Sequence, residues 1–162
     1  MTRYVSMAVL GLLALCCGTP TAAQSTGKPV IVSGACDPKS GVTIDSGELS
    51  RLECDTAVVM RTDRGTVLIQ FTDKAGDDGR ILGFAGTIEG KQGFGADTAQ
   101  MLAVERLYLA GGATPVPVQR GTCIMNWTGL QRTGGKLVSI VCGARAEAEG
   151  SDIRAIAALT VK

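Results

Sequence analysis

Short apolar runs separated by turn residues fill most of this chain, and in places the apolar positions recur every second residue. The C-terminal segment shows it best. Ile153, Ala155, Ala157, Leu159 and Val161 share one parity, while Arg154, Thr160 and Lys162 fall on the other, which is the period of a half-buried strand. Val67–Phe71 is a second strand, entered through Asp63-Arg64-Gly65 and left at Thr72-Asp73-Lys74. Asp77-Asp78-Gly79 signals a tight turn, after which Arg80–Ile88 reads as a glycine-broken strand. Leu137–Cys142 is another apolar strand, and Ala57–Arg61 and Thr122–Trp127 are further candidates. This rhythm predicts an all-β, single-domain antiparallel β-sandwich or small β-barrel.

Asp97–Gly111 carries mixed signals. An Asp or Thr cap, residues of high helix propensity and a glycine stop favour a helix. Its second half serves equally as a strand leading into Gly111-Gly112. Because the surroundings are all β, a strand over Leu102–Leu109 is expected, preceded by a flexible glycine-rich loop across Gly83–Gly95. Gln24–Lys28 reads as a loose N-terminus, and no domain boundary is visible.

The N-terminus has a different pattern. Arg3 supplies one positive charge, and an unbroken apolar run follows from Val5 to Cys17. Pro20 and the small residues Ala22-Ala23 come next, then polar Gln24-Ser25. A charged start, an apolar stretch of about 13 residues and small residues before a cut after Ala23 describe a signal peptide over residues 1–23. The run falls short of the roughly 20 residues a spanning helix needs. Lipid attachment at Cys16 or Cys17 is not expected, since neither follows a small residue. The Ala- and Leu-rich leader has a bacterial look and suggests a periplasm; the product is expected to be exported, periplasmic or secreted. Removing residues 1–23 from the 162 leaves a 139-residue exported β domain, residues 24–162. A chain of that size buries roughly two-thirds of its unfolded surface.

Charge excludes some partners. One of the 16 basic residues, Arg3, leaves with the signal, so 15 basic residues face 15 acids, with no run of like charge. That gives no electrostatic footprint for nucleic acid and no polybasic face for anionic lipid. No integral membrane segment is expected after processing.

Four cysteines follow the leader: Cys36, Cys54, Cys123 and Cys142. An even number in an exported chain reads as a disulfide framework, with three connectivities open. Cys36–Cys54 and Cys123–Cys142 are the expected pairs. Each brackets a turn signal, Asp45-Ser46-Gly47 and Thr133-Gly134-Gly135, so a hairpin folding there brings its cysteines together. The two segments also echo each other, Gly34-Ala35-Cys36 with Leu49–Cys54 and Gly121-Thr122-Cys123 with Leu137–Cys142. Either a duplicated strand–turn–strand–strand unit or the common look of two cross-strand bridges accounts for this.

Candidate chemistry is sparse. With no histidine in the chain, Ser-His-Asp and Cys-His catalysis are excluded, and oxidation of the thiols removes cysteine nucleophiles. Zinc is not expected, because the cysteines lack close paired spacing. Asp73, Asp77 and Asp78 crowd one turn without the alternating ligand pattern of a calcium loop; a solvated hairpin end is the expected reading. Glu89 and Glu105 are the candidates for a two-carboxylate hydrolase, though strand-edge or salt-bridged positions are the simpler account. Gly90-Lys91-Gln92-Gly93-Phe94-Gly95 lacks the ending of a phosphate loop. Trp127 is the one possible binding aromatic, with packing over a neighbouring disulfide as the plainer alternative. Asn126-Trp127-Thr128 has the form of a glycosylation acceptor, relevant in a eukaryote. Small periplasmic β-barrels that inhibit lysozymes are similar in size, compartment and disulfide use, an architectural analogy that no motif carries. The reading is an exported, non-enzymatic β domain that binds a protein or cell-envelope component, with no catalytic, cofactor or metal residues. A carboxylate-based hydrolase and a structural subunit of a surface assembly are the alternatives.

Overall fold

A computed structural model describes residues 28–73, 81–94, 97–109, 114–129 and 135–162. The expected signal peptide, with Cys16 and Cys17, and the turn residues Asp77, Asp78, Gly79, Thr133 and Gly134 lie outside these residues. Ten strands follow in order: β1 (Val30–Cys36), β2 (Gly41–Ile44), β3 (Ser50–Arg51), β4 (Cys54–Arg61), β5 (Thr66–Asp73), β6 (Ile81–Phe94), β7 (Asp97–Tyr108), β8 (Val116–Thr128), β9 (Lys136–Ala148) and β10 (Ser151–Val161). There is no helix among the described residues, and hence none long and apolar enough to cross a membrane.

All strands belong to one antiparallel sheet in the order β1-β4-β5-β6-β7-β8-β9-β10-β2-β3. A further pairing, Gly34 with Val161 through Cys36 with Leu159, joins β1 to β10. That pairing makes β1 and β4–β10 an eight-stranded up-and-down barrel, since closure removes the edges an open sheet would expose. Of the two outcomes the sequence allowed, the barrel is the one adopted.

Eight strands enclose a space that side chains alone can fill, and here they do. Val67, Ile69 and Phe71 of β5, Phe84 of β6, Leu102 and Leu107 of β7, Met125 of β8, Ile140 of β9 and Leu159 of β10 are all buried. The rings of Phe71 and Phe84 meet edge to face with centroids 6.0 Å apart, a favoured aromatic geometry. Charged residues such as Glu105, Arg120 and Arg154 face outward. This polarity is opposite to the apolar-out, polar-in pattern of membrane-spanning barrels. The alternation read in the last strand holds: Ile153, Ala155, Ala157 and Leu159 point inward and Arg154 and Thr160 outward.

Two expectations need correction. Of the stretch expected as a loop, Gly83–Gly95, residues 83–94 are strand, because β6 continues to Phe94 and pairs with β7 down to Phe94–Asp97. Gly86 allows close strand approach: a Cβ there would lie 1.7 Å from the Ala103 carbonyl oxygen. The strand expected from Leu102 begins earlier, at Asp97, and ends at Tyr108. Its buried positions step from Val104 to Leu107 because the ladder slips between Ala103 and Arg106. That β-bulge inserts the three-residue step that imitates a helical pattern.

Candidate functional site

The chain between β1 and β4 builds one side of a concavity at the end of the barrel. β1 runs along β10 only as far as Cys36, after which residues 37–40 step aside and β2 resumes pairing on the same edge, Gly41 opposite Ile156 through Ile44 opposite Ile153. The gap in the ladder is patched. The Ala158 carbonyl accepts from Asp37 N–H at 2.8 Å, and Ala158 N–H donates to the Oγ of buried Ser40 at 3.1 Å. β3 then pairs back on β2, so a short hairpin stands off one end of the barrel wall.

Between this hairpin, the start of β6 and the end of β7 lies a pocket of about 360 Å³. Val42, Ile44, Leu52, Ile81, Leu82 and Leu109 give it apolar walls, and Glu48, Ser50 and Arg51 supply polar atoms at its rim. Ile44 and Ile81 remain 52% and 38% exposed, an unusual amount of open hydrocarbon for residues meeting in one hollow. Size and lining are those of a site for a small apolar group, and a barrel mouth is a common place for one. None of its residues stood out in the sequence. They come from four separate segments, and only the long-range pairing gathers them.

The residues that did stand out are placed as follows. Cys36–Cys54 and Cys123–Cys142 are both disulfides, with Cα separations of 5.3 and 4.0 Å. The second joins residues directly opposite in the β8–β9 hairpin. The first differs from expectation in one respect: it links β1 to β4, and the hairpin it brackets is the inserted β2–β3 unit. The two bridges therefore sit in different topologies, and the sequence echo is a likeness of cross-strand bridges. Bridges of this kind belong to an oxidising compartment.

Trp127 points inward with Cys123 and Met125, partly buried against the core at the other end of the barrel, and Met125 lies between it and the disulfide. Its cross-strand partner is Thr98. The indole Nε1 and the Thr98 hydroxyl are both enclosed, and neither has a hydrogen-bond partner among the described residues. Glu89 and Glu105 face outward and do not line this pocket; Glu105 accepts a hydrogen bond from Thr87 Oγ1 at 3.0 Å. Of the acidic turn, only Asp73 is described, at the end of β5 opposite Cys54. Lys91–Phe94 is strand, not a mobile loop. No family model, characterised protein or solved structure matches the chain.

Among the described residues one carboxyl has a shifted acidity. Asp152, on the outer wall, accepts from Arg145 Nε at 2.6 Å and from Arg154 Nε at 3.0 Å. The hydrogen bond from Arg145, joined by that from Arg154, holds its carboxyl below the usual carboxylate range. A carboxyl depressed on folding stabilises the fold fully above its unfolded value, near pH 4, and loses that contribution as pH falls through the lower folded value. Asp152→Asn is therefore expected to flatten the acid limb of a urea-unfolding series taken from pH 2 to pH 7. An acid limb identical to that of the parent would assign it to other carboxylates.

Proposed function

We propose that this protein is an exported, non-enzymatic binding domain, working in the periplasm or outside the cell after loss of residues 1–23, whose target is a protein or cell-envelope component. The observation that carries the reading is the open apolar pocket at the end of an otherwise filled barrel. A preformed apolar hollow with a few rim polar groups binds by burying a complementary group, and a disulfide-closed scaffold keeps that hollow shaped without a ligand. The hydrolase alternative calls for two carboxyl groups facing each other over a cleft, whereas among the described residues this pocket holds one, Glu48. A subunit of a surface assembly calls for a long free edge strand, whereas β3 at the end of the sheet order has two residues.

The test is photo-crosslinking in the native compartment. A photoreactive residue at Ile44 is expected to yield a discrete adduct that the wall variant Ile81→Glu removes. The same residue at Lys136, at the far end of the barrel, is expected to yield none. Absence of an adduct at Ile44, or an adduct indifferent to Ile81→Glu, overturns the assignment of this pocket. Hydrolysis of envelope polymer that is lost in Glu89→Gln or Glu105→Gln would instead make the protein an enzyme.

A further inference from the structure

The outer wall of β8, β9 and β10 carries a second concavity, about 570 Å³, bordered by Arg120, Arg145, Arg154 and Ile156 and floored by Gly143. The ladders set its geometry. Arg120 pairs with Arg145 and Arg145 with Arg154, so three guanidinium groups form one row across three strands. The next outward row is Thr122, Gly143 and Ile156, and the one after is Met101, Ile124, Val141 and Ala158. In that order the wall is cationic, then hollow, then apolar, with Ile156 and Val141 52% and 46% exposed.

Two features of this wall have no use within the fold. Like charges at directly opposed strand positions destabilise a sheet, and Asp152 is the one carboxylate bridging the row. It engages Arg145 and Arg154, while the neighbouring Glu147 accepts from Gln119. Arg120 has no partner among the described residues. The second feature is Gly143. A Cβ there would meet nothing within 4 Å, and its φ lies outside the range that favours glycine. Gly121 beside it is explained by packing, since its Cβ would press on Ala144 and Val104. Glycine inside a strand weakens it, and at Gly143 the missing side chain leaves the hollow open.

We infer that this trough docks an extended acidic segment of a polypeptide, with a carboxylate on the arginine row and an apolar side chain on the Ile124–Val141 strip. Outer-face rows are two residues apart, so these contacts lie about 13 Å from each other, four residues of extended chain. The segment therefore carries an acidic and an apolar residue at positions i and i+4, on one face, with a small residue between them over Gly143. Arginine suits the acidic end because its planar fork pairs with carboxylate. A uniformly polar anionic glycan would leave the apolar strip uncovered. The inference rests on the reading of a binding domain with a protein target, but uses the outer wall of β8–β10, whose Ala155 and Ile156 pair with Val42 and Gly41 of the end pocket.

The experiment is a titration of the isotopically labelled protein with synthetic decapeptides, followed by amide NMR. A peptide with glutamate and leucine four apart is expected to shift residues 120–122, 143–145 and 154–156. A peptide of the same composition with the pair three apart should bind at least tenfold more weakly. Gly143→Val should weaken binding at least tenfold while the unfolding midpoint stays level or rises. Arg120→Gln with Arg154→Gln should weaken it similarly and remove its salt dependence. Ile81→Glu should leave it unchanged, so that failure of the pocket and failure of the trough are read separately. Equal binding of the two peptides, or parental affinity in Gly143→Val, overturns the inference. Tighter binding of polygalacturonate than of the first peptide would replace it with an anionic polysaccharide site.

Discussion

Replacing Phe84 by alanine is expected to lower the unfolding free energy by about 3–5 kcal/mol, the range for removing a large aromatic from a packed core. Phe84 has no exposed surface. Its cross-strand partners are Ile69 on β5 and Leu107 on β7, both also fully buried, and its ring meets Phe71 edge to face. A closed barrel has little freedom to collapse into the void, because each neighbour is held by ladders on both sides. The lost contacts and the cavity therefore add. Urea unfolding of the variant would show a lower midpoint with an unchanged slope. A loss below about 1.5 kcal/mol would mean that the wall closes around the missing ring, contrary to the packing described.

Removal of the Cys123–Cys142 bridge has the second large effect. The cysteines are 19 residues apart, and a loop of that length releases about 3 kcal/mol of chain entropy into the unfolded state when opened. Both sulfurs belong to buried residues, 0% and 1% exposed, so the replacement matters. The double change to serine places two hydroxyls in apolar surroundings, each costing roughly 1–3 kcal/mol without a partner; the double change to alanine avoids this. The serine pair is thus expected to be the less stable of the two, and both should fall below the parent. In either variant a peptide map should still show Cys36 joined to Cys54. Free thiols at Cys36 and Cys54 would mean that this bridge does not form independently.

Local chemistry accounts for how well the strands could be read. The last strand carries Ile153, Ala155, Ala157 and Leu159 on one parity, and Val67–Phe71 and Leu137–Cys142 are short apolar runs beside turn residues; both signals are local, because they depend only on what a strand offers to the core. The β7 segment misled because a bulge between Ala103 and Arg106 changes parity inside the strand, and nothing local marks it. The glycines of β6 misled for a related reason. Gly86 reads as mobility until Ala103 is brought against it. The turn at Glu149-Gly150, with φ of 53° and 81°, was also missed, although two residues at positive φ ending in glycine are a familiar hairpin connection.

By itself the sequence determined the all-β class and most of the strands, and it favoured the cysteine pairing that the structure shows, because each depends on residues near in the chain. Periodicity, turn chemistry and short loop closure are local properties. The tertiary structure decided closure into a barrel, which depends on Gly34 reaching Val161. It also decided both concavities. The end pocket needs residues 41–52 to meet Ile81, Leu82 and Leu109, and the arginine row needs residues 120, 145 and 154 in one register. Register across non-adjacent segments is a collective result of core packing and sheet closure, and no stretch of the chain carries it alone.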